Sequence, residues 1–157
     1  MSIVTTDAQG TKVYLAAEGT DVADATKIAT AILAGKQVGC IQSLGSIDTT
    51  REVTEYACLS SNEIAKSLGS VKAGSLELSL LFNSGDAEGQ KELRDMYTAN
   101  ERRVFIVELS DAGTTNPTYI TFDGAVSGIA TPIEKNSAVL QNYTVEITSN
   151  PVFIMAA

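Results

Sequence analysis

Ser75-Leu-Glu-Leu-Ser-Leu-Leu-Phe82 runs into Asn83-Ser-Gly-Asp86 and then, past Ala87-Glu88, into Gly89-Gln-Lys-Glu-Leu-Arg-Asp-Met-Tyr-Thr-Ala99. In the first segment Leu76, Leu78, Leu80 and Phe82 fall on one side while Ser75, Glu77 and Ser79 fall on the other, the period of two of a half-buried strand. At the Asn-Ser-Gly-Asp turn the period changes. Leu93, Met96 and Tyr97 recur at helical spacing, which predicts a helix over about 86–99 with Ser84 or Asp86 as its cap. A strand, a capped turn and a helix in immediate succession make this the firmest part of the chain, and the rest is read outward from it.

Upstream, residues 11–17 alternate weakly and read as a first strand, and Val22, Ala25, Ile28, Ala29, Ile32 and Leu33 predict a short helix over about 22–33 that stops at Gly35. Val38–Leu44 and Arg51–Leu59 read as strands separated by a turn at Gly45, Ser46 and Asp48, and Ile64–Leu68 as a further extended piece. Downstream, Arg102–Leu109, Thr118–Phe122, Ala125–Ile133 and Ala138–Thr148 read as strands joined by Asp-Gly and Asn-containing turns. The fold class is therefore mainly β (α+β), an antiparallel sandwich or barrel with one central helix, and 157 residues without a Pro-rich linker or internal repeat fit a single domain, 1–157. On Arg102–Leu109, Phe105 and Val107 lie on one face and Val104 and Ile106 on the other. Both faces read as buried, which in so small a chain points to Val104 and Ile106 packing on another subunit.

Composition removes most chemistry. The sequence has no histidine, so neither a Ser-His-Asp or Cys-His catalytic set nor a His-ligated metal can be built from it. Cys40 and Cys58 are too few for a four-thiolate zinc site and lack C-x-x-C spacing, so they read as buried, reduced thiols packed as small hydrophobes. Gly35-Lys36 lacks the first glycine and the hydroxyl of a phosphate loop, and no calcium-loop pattern occurs. The nearest carboxylate pairs, Glu52 with Glu55 and Asp86 with Glu88, read as a solvated strand and a helix start. No enzyme activity, cofactor or metal is expected. With 19 acids against 11 bases, a net charge of −8 disfavours a protein that grips phosphates. Charged residues are only 19% of the chain, which points to a surface partly covered by a partner. The first residues lack the basic start and apolar run of a secretory signal, and no stretch has the length of a membrane span, so synthesis in the cytoplasm and no membrane contact are expected.

The order of Val38-Gly-Cys-Ile-Gln-Ser-Leu-Gly45, Thr50-Arg-Glu-Val-Thr-Glu-Tyr56, Ser67-Leu-Gly-Ser-Val-Lys-Ala-Gly-Ser-Leu-Glu-Leu-Ser-Leu80, Gly85-Asp-Ala-Glu-Gly-Gln-Lys-Glu-Leu93, Arg103-Val-Phe-Ile-Val-Glu108 and Thr121-Phe-Asp-Gly-Ala-Val-Ser-Gly-Ile129 resembles the major tail tube proteins of long-tailed, non-contractile, lambda-like bacteriophages. The likeness covers about three quarters of the chain and leaves residues 1–37 outside it. It implies a structural subunit that self-assembles into stacked, hexameric rings around a DNA channel. Its implied partners are copies of itself, a tape measure protein, a tail terminator and baseplate or tail-tip proteins, with DNA passing through unbound. The implied location is the virion tail, after assembly in the bacterial host cytoplasm. The alternatives are a tube protein of a type VI secretion or contractile system, and a small ligand-binding β-domain.

On that resemblance, Glu52, Glu55 and Glu77 are candidates for the acidic channel lining. The stretch of roughly Ser46–Lys66, with Asp48, Val53, Tyr56, Leu59 and Asn62, matches the segment that in the family reaches the adjacent ring.

Overall fold

The computed structural model describes residues 7–86, 88–110 and 117–155. Along the chain come β1 (Asp7–Ala16), α1 (Ala25–Ala34), β2 (Lys36–Val38), β3 (Ile41–Leu44), β4 (Thr49–Ala57), β5 (Ile64–Ala73), β6 (Ser75–Leu81), α2 (Gly89–Ala99), β7 (Arg102–Ser110), β8 (Tyr119–Ala130), β9 (Leu140–Ile147) and β10 (Val152–Ile154). The mainly β, antiparallel reading with two helices is what the structure has. Eight strands form one sheet in the order β2-β1-β7-β8-β9-β6-β3, with β10 added beside β8, while β4 and β5 pair only with each other. No helix among the described residues is long and apolar enough to cross a membrane.

The sheet is rolled, and the chain itself shows why. β2 is one end of the strand order and β3 is the other, yet only Gly39 and Cys40 separate them. Three Cα steps span at most about 11 Å, so the two ends of the sheet must meet. Val38–Leu44, expected as one strand, is thus two strands in different positions. The break is at Cys40, whose φ of 58° is left-handed and cannot continue a ladder. Its thiol and that of Cys58 are free and exposed, not buried as expected. Conversely, Thr118–Phe122 and Ala125–Ile133, expected as two strands either side of Asp123-Gly124, are one continuous strand, β8, paired through that step with β7.

Rolling brings Val13, Leu15, Phe105, Val107 and Phe122 into one buried cluster with Leu76, Leu78, Leu80, Tyr143 and Val145, and Leu93 and Met96 of α2 enter the same cluster. Phe105 and Phe122 stack directly across β7 and β8, with ring centroids 5.3 Å apart. Tyr143 is held in this interior by a hydrogen bond from its hydroxyl to Gln141 Oε1 at 2.7 Å.

α1 covers the outside of one wall. Asp24 Oδ1 accepts the Lys27 amide at 2.9 Å and so starts the helix three residues later than the sequence pattern suggested. Ile28 and Ala31 then pack on Tyr14, Ala16, Val104, Ile106 and Tyr119. This corrects the reading of Val104 and Ile106 as subunit-interface residues: both are buried by a helix of their own chain. The unbroken run Val104-Phe105-Ile106-Val107 has one face in the barrel interior and the other beneath α1.

α2 closes the seam between β2 and β3. At its first residue a Cβ on Gly89 would lie 2.2 Å from the Gln37 carbonyl oxygen and 2.5 Å from Val38 Cα, so only glycine lets the helix start this close to β2. The next residue, Gln90, is wholly buried. Its Oε1 accepts the Asn83 amide at 3.1 Å, and its Nε2 donates to the Leu81 carbonyl at 2.9 Å and the Gly39 carbonyl at 3.4 Å. One side chain therefore ties the end of β6 to the junction. Asp86 does cap this turn as expected, accepting the Glu88 and Gln90 amides at 2.9 and 3.3 Å, and regular helix begins at Gly89.

Two substitutions test the seam. Gln90→Leu strands buried backbone groups and is expected to lower unfolding free energy by about 2–4 kcal/mol. Gly89→Ala must push β2 away and is expected to cost about 3 kcal/mol. Gly85→Ala, whose Cβ would meet only the end of the Asn83 side chain at 3.4 Å, is the near-neutral control in urea titration.

A second test uses the phenols. Burial, reinforced by Glu108, raises Tyr14 and Tyr119 above the ordinary value of 10.0, and burial raises Tyr143 although Arg94 opposes it. Groups whose folded pKa is raised contribute stability that is fully present below pH 10 and is lost as pH climbs through the folded values. Thermal melts are expected to fall above pH 10, and Tyr143→Phe to reduce that fall.

Candidate assembly surfaces

β3 and β6 pair as neighbours, and the chain between them leaves the barrel as a ribbon. The exit is tied twice: the Gly45 amide donates to the Glu77 carbonyl at 2.7 Å, and the Gly74 amide to the Asp48 carbonyl at 2.9 Å. Beyond that neck β4 and β5 run antiparallel from Thr49↔Ala73 to Ala57↔Ile64. Every residue of β4 is exposed. Gly69 and Ser70 both stand opposite Glu52, a bulge that shifts the register between Arg51↔Val71 and Val53↔Leu68.

The ribbon carries Val53, Tyr56, Ile64 and Leu68 in the open, with Leu59 at its tip. Val53 and Leu68 are direct cross-strand partners, and Ala57 faces Ile64 on the same side. An isolated two-stranded ribbon is marginal in water. Each of these large side chains would contribute about 1.5–3 kcal/mol if fully buried, far more than an exposed ion pair at about 0–1 kcal/mol. Two such pairs occur, Lys66–Glu55 at 3.3 Å and Lys72–Glu52 at 3.7 Å. The expected inter-ring candidates therefore fall together, with Asp48 at the neck, Val53 and Tyr56 along the ribbon, and Leu59 and Asn62 at the turn.

The three acids expected to share a channel wall do not share a surface here. Glu52 and Glu55 are on the ribbon in ion pairs with lysines, and Glu77 is on the barrel. Around Glu77 the outward side of β3, β6, β9 and the second half of β8 presents Ser43, Ser79, Ser127, Asn142, Thr144 and Glu146. Ser79 Oγ donates to Asn142 Oδ1 at 2.8 Å, and Ser127 Oγ to the Thr144 carbonyl at 3.2 Å. Part of this face forms an open concavity of about 600 Å³ bounded by Ser43, Glu77, Ser79, Asn142 and Thr144. These strand segments contain no lysine or arginine. Among the described residues no group of His, Cys, Asp or Glu is placed to hold a metal ion.

The sequence reading missed Gln90, which holds the seam from which the polar wall and the ribbon both extend. Its only sequence signal is the Gly89-Gln90 pair at a helix start.

A family model described as lambda-like phage tail tube protein matches residues 4–157. The chain belongs to that family. This tail tube protein is thus a structural subunit of a phage tail tube, and its family is structural and not catalytic. No curated protein sequence matches it. Solved structures share its fold at low identity. A chain of the anti-feeding prophage baseplate has a TM-score of 0.73 at 11% identity, covering 99% of this chain and 98% of that one. The SPP1 tail tube protein has a TM-score of 0.67 at 14% identity, covering 96% and 80%. A chain from the tail of an empty gene transfer agent particle, refined with C6 symmetry, has a TM-score of 0.66 at 14% identity, covering 95% and 98%.

The neck makes the ribbon of this tail tube protein separable. Replacing residues 49–73 by a short Gly-Ser turn between Asp48 and Gly74 is expected to leave the barrel folded, with its stability changed by about 1 kcal/mol, because no fully buried side chain is removed and only the small Ala73 packs, partly buried, against the core. Circular dichroism and thermal melting of the deletion variant check it.

Proposed function

We propose that this subunit, acting as one tail tube domain over residues 1–157, closes into six-membered rings that stack into the tail tube of a non-contractile phage, with DNA leaving through the lumen. The observation that carries the reading is the cation-free wall of β3, β6, β9 and the second half of β8. DNA is held by lysines and arginines that displace its counterions, and each retained contact slows transit. Hydroxyls and amides with two carboxylates, Glu77 and Glu146, offer no such grip. Glu77 is therefore the lumen residue among the three acids, while Glu52 and Glu55 travel with the ribbon to the adjacent ring. A tape measure protein fills the channel before ejection, and terminator and baseplate or tail-tip proteins close its ends. Assembly takes place in the host cytoplasm. The fold is shared with proteins of an extracellular contractile injection system, so the non-contractile assignment rests on the family match and not on the strand order.

Copies that each carry −8 repel one another, and salt shortens the reach of that repulsion to about 10 Å at 0.1 M. Raising protein and salt concentration is expected to convert monomers into rings and tubes under negative-stain microscopy. Sedimentation showing only monomer at millimolar protein and high salt overturns the reading. Glu77→Lys with Glu146→Lys is expected to leave tubes intact and to reduce DNA ejection at least tenfold. Normal infectivity of such particles removes these residues from the lumen.

A further inference from the structure

Resting on the tube reading above, we infer that the free edge of β10 and the adjoining outward face of α1 form the acceptor for the β4–β5 ribbon of a second copy. A tube that grows end to end needs a heterologous contact, in which one patch of the chain fits a different patch on its neighbour. The ribbon supplies the first patch and cannot also be the second.

Charge narrows the choice. Residues 49–73 hold three bases and three acids, Arg51, Lys66 and Lys72 against Glu52, Glu55 and Glu63, so the ribbon is neutral and the whole −8 lies elsewhere. A neutral, apolar ribbon loses least by docking where no charge has to be stripped of water. Residues 147–157 contain no charged side chain. Thr26, Ala29, Thr30 and Leu33 are exposed on α1, and Lys27, the one charge on that helix, is paired with Asp21 at 2.8 Å. Ile154 packs into the same cluster as Ile28 and Ile32, so strand and helix form one continuous flank. The other exposed large apolar groups have charged neighbours: Ile133 precedes Glu134 and Lys135, Tyr97 follows Arg94 and Asp95 on α2, and the Arg94 guanidinium lies 5.9 Å from the centre of the Phe82 ring.

Backbone chemistry points to the same place. Among the described residues β10 pairs only with β8, through Val152↔Thr121, Phe153↔Ile120 and Ile154↔Tyr119. Its far edge is open and has neither a charge nor a bulge to blunt it, although Val152, Phe153 and Met155 are 52%, 58% and 72% exposed. β4 and β5 likewise have one open edge each. Edge-to-edge pairing satisfies both sets of amides and carbonyls while Val53 or Tyr56 reaches the apolar flank.

The test places p-benzoylphenylalanine at Tyr56 in the full chain, assembles tubes from mixed heavy- and light-isotope subunits, and maps intermolecular cross-links by mass spectrometry. Links to residues 25–34 or 149–155 are expected. Tubes whose links map to any other segment overturn the acceptor and leave the tube reading standing, whereas a wild-type chain that forms no tubes sinks both. The double variant Val152→Asp, Met155→Asp is expected to raise the critical concentration for tubes at least tenfold, with Ile133→Asp unchanged. Equal critical concentrations for both variants also overturn the acceptor, and if the double variant fails to fold the cross-link map decides alone.

Discussion

The fold depends on one short tether. Because Gly39 and Cys40 alone join the two end strands, the sheet is obliged to roll, and every later feature inherits that geometry. The tether supplies proximity but no ladder of hydrogen bonds between β2 and β3. α2 packs at this junction instead, where Gly89 permits backbone contact with β2 and Gln90 ties Gly39 of the tether to Leu81 and Asn83 at the end of β6 through three side-chain hydrogen bonds. A buried amide in such a position is costly when half satisfied and specifying when fully satisfied, which is its state here.

The two walls of the rolled sheet are finished differently. On the β1–β7–β8 side an external helix makes the strands apolar on both faces. On the β6–β9 side the outer face is left bare, and its side chains are correspondingly short and polar. The alternation read from Ser75 to Leu81 thus has a structural counterpart, since Leu76, Leu78 and Leu80 hold the core and the intervening Ser and Glu form the outer wall. The ribbon differs again, because its large apolar side chains have no cover within their own chain.

What the sequence disclosed followed from how local each signal was. The alternation from Ser75 to Leu81, the Asp86 turn and the helix to Ala99 are determined by neighbours in sequence, and they stand close to where the pattern put them, whereas Phe82, placed on the core face by the same pattern, lies past the strand end and is exposed. Val38–Leu44 failed because a single left-handed residue, Cys40, divides a run whose composition is uniformly strand-like. Val104 and Ile106 were rightly read as covered. The cover was attributed to a partner because nothing in their own strand reveals that α1, some seventy residues earlier, lies over it. On the ribbon the residues of the candidate surface were legible as a group, but their register was not, since the bulge at Gly69–Ser70 is visible only when both strands are paired. The grouping of Glu52, Glu55 and Glu77 failed for the same reason. Acidity is written in each residue, whereas the sheet that carries it is settled by pairing far along the chain.

The hydrogen bond from the Gly74 amide to the Asp48 carbonyl makes everything between those residues an insertion in the topological sense. The barrel's strand order is complete without it, so changes of length or sequence there are uncoupled from the folding of the rest. On the proposed docking, mutational drift in the ribbon would be filtered by whether a neighbour still accepts it, and not by whether the subunit folds. Two such tubes can diverge in which copies recognise one another while keeping nearly the same bore and wall, and a foreign peptide grafted at Ser60-Ser61 would be tolerated by the monomer before it was tolerated by the polymer.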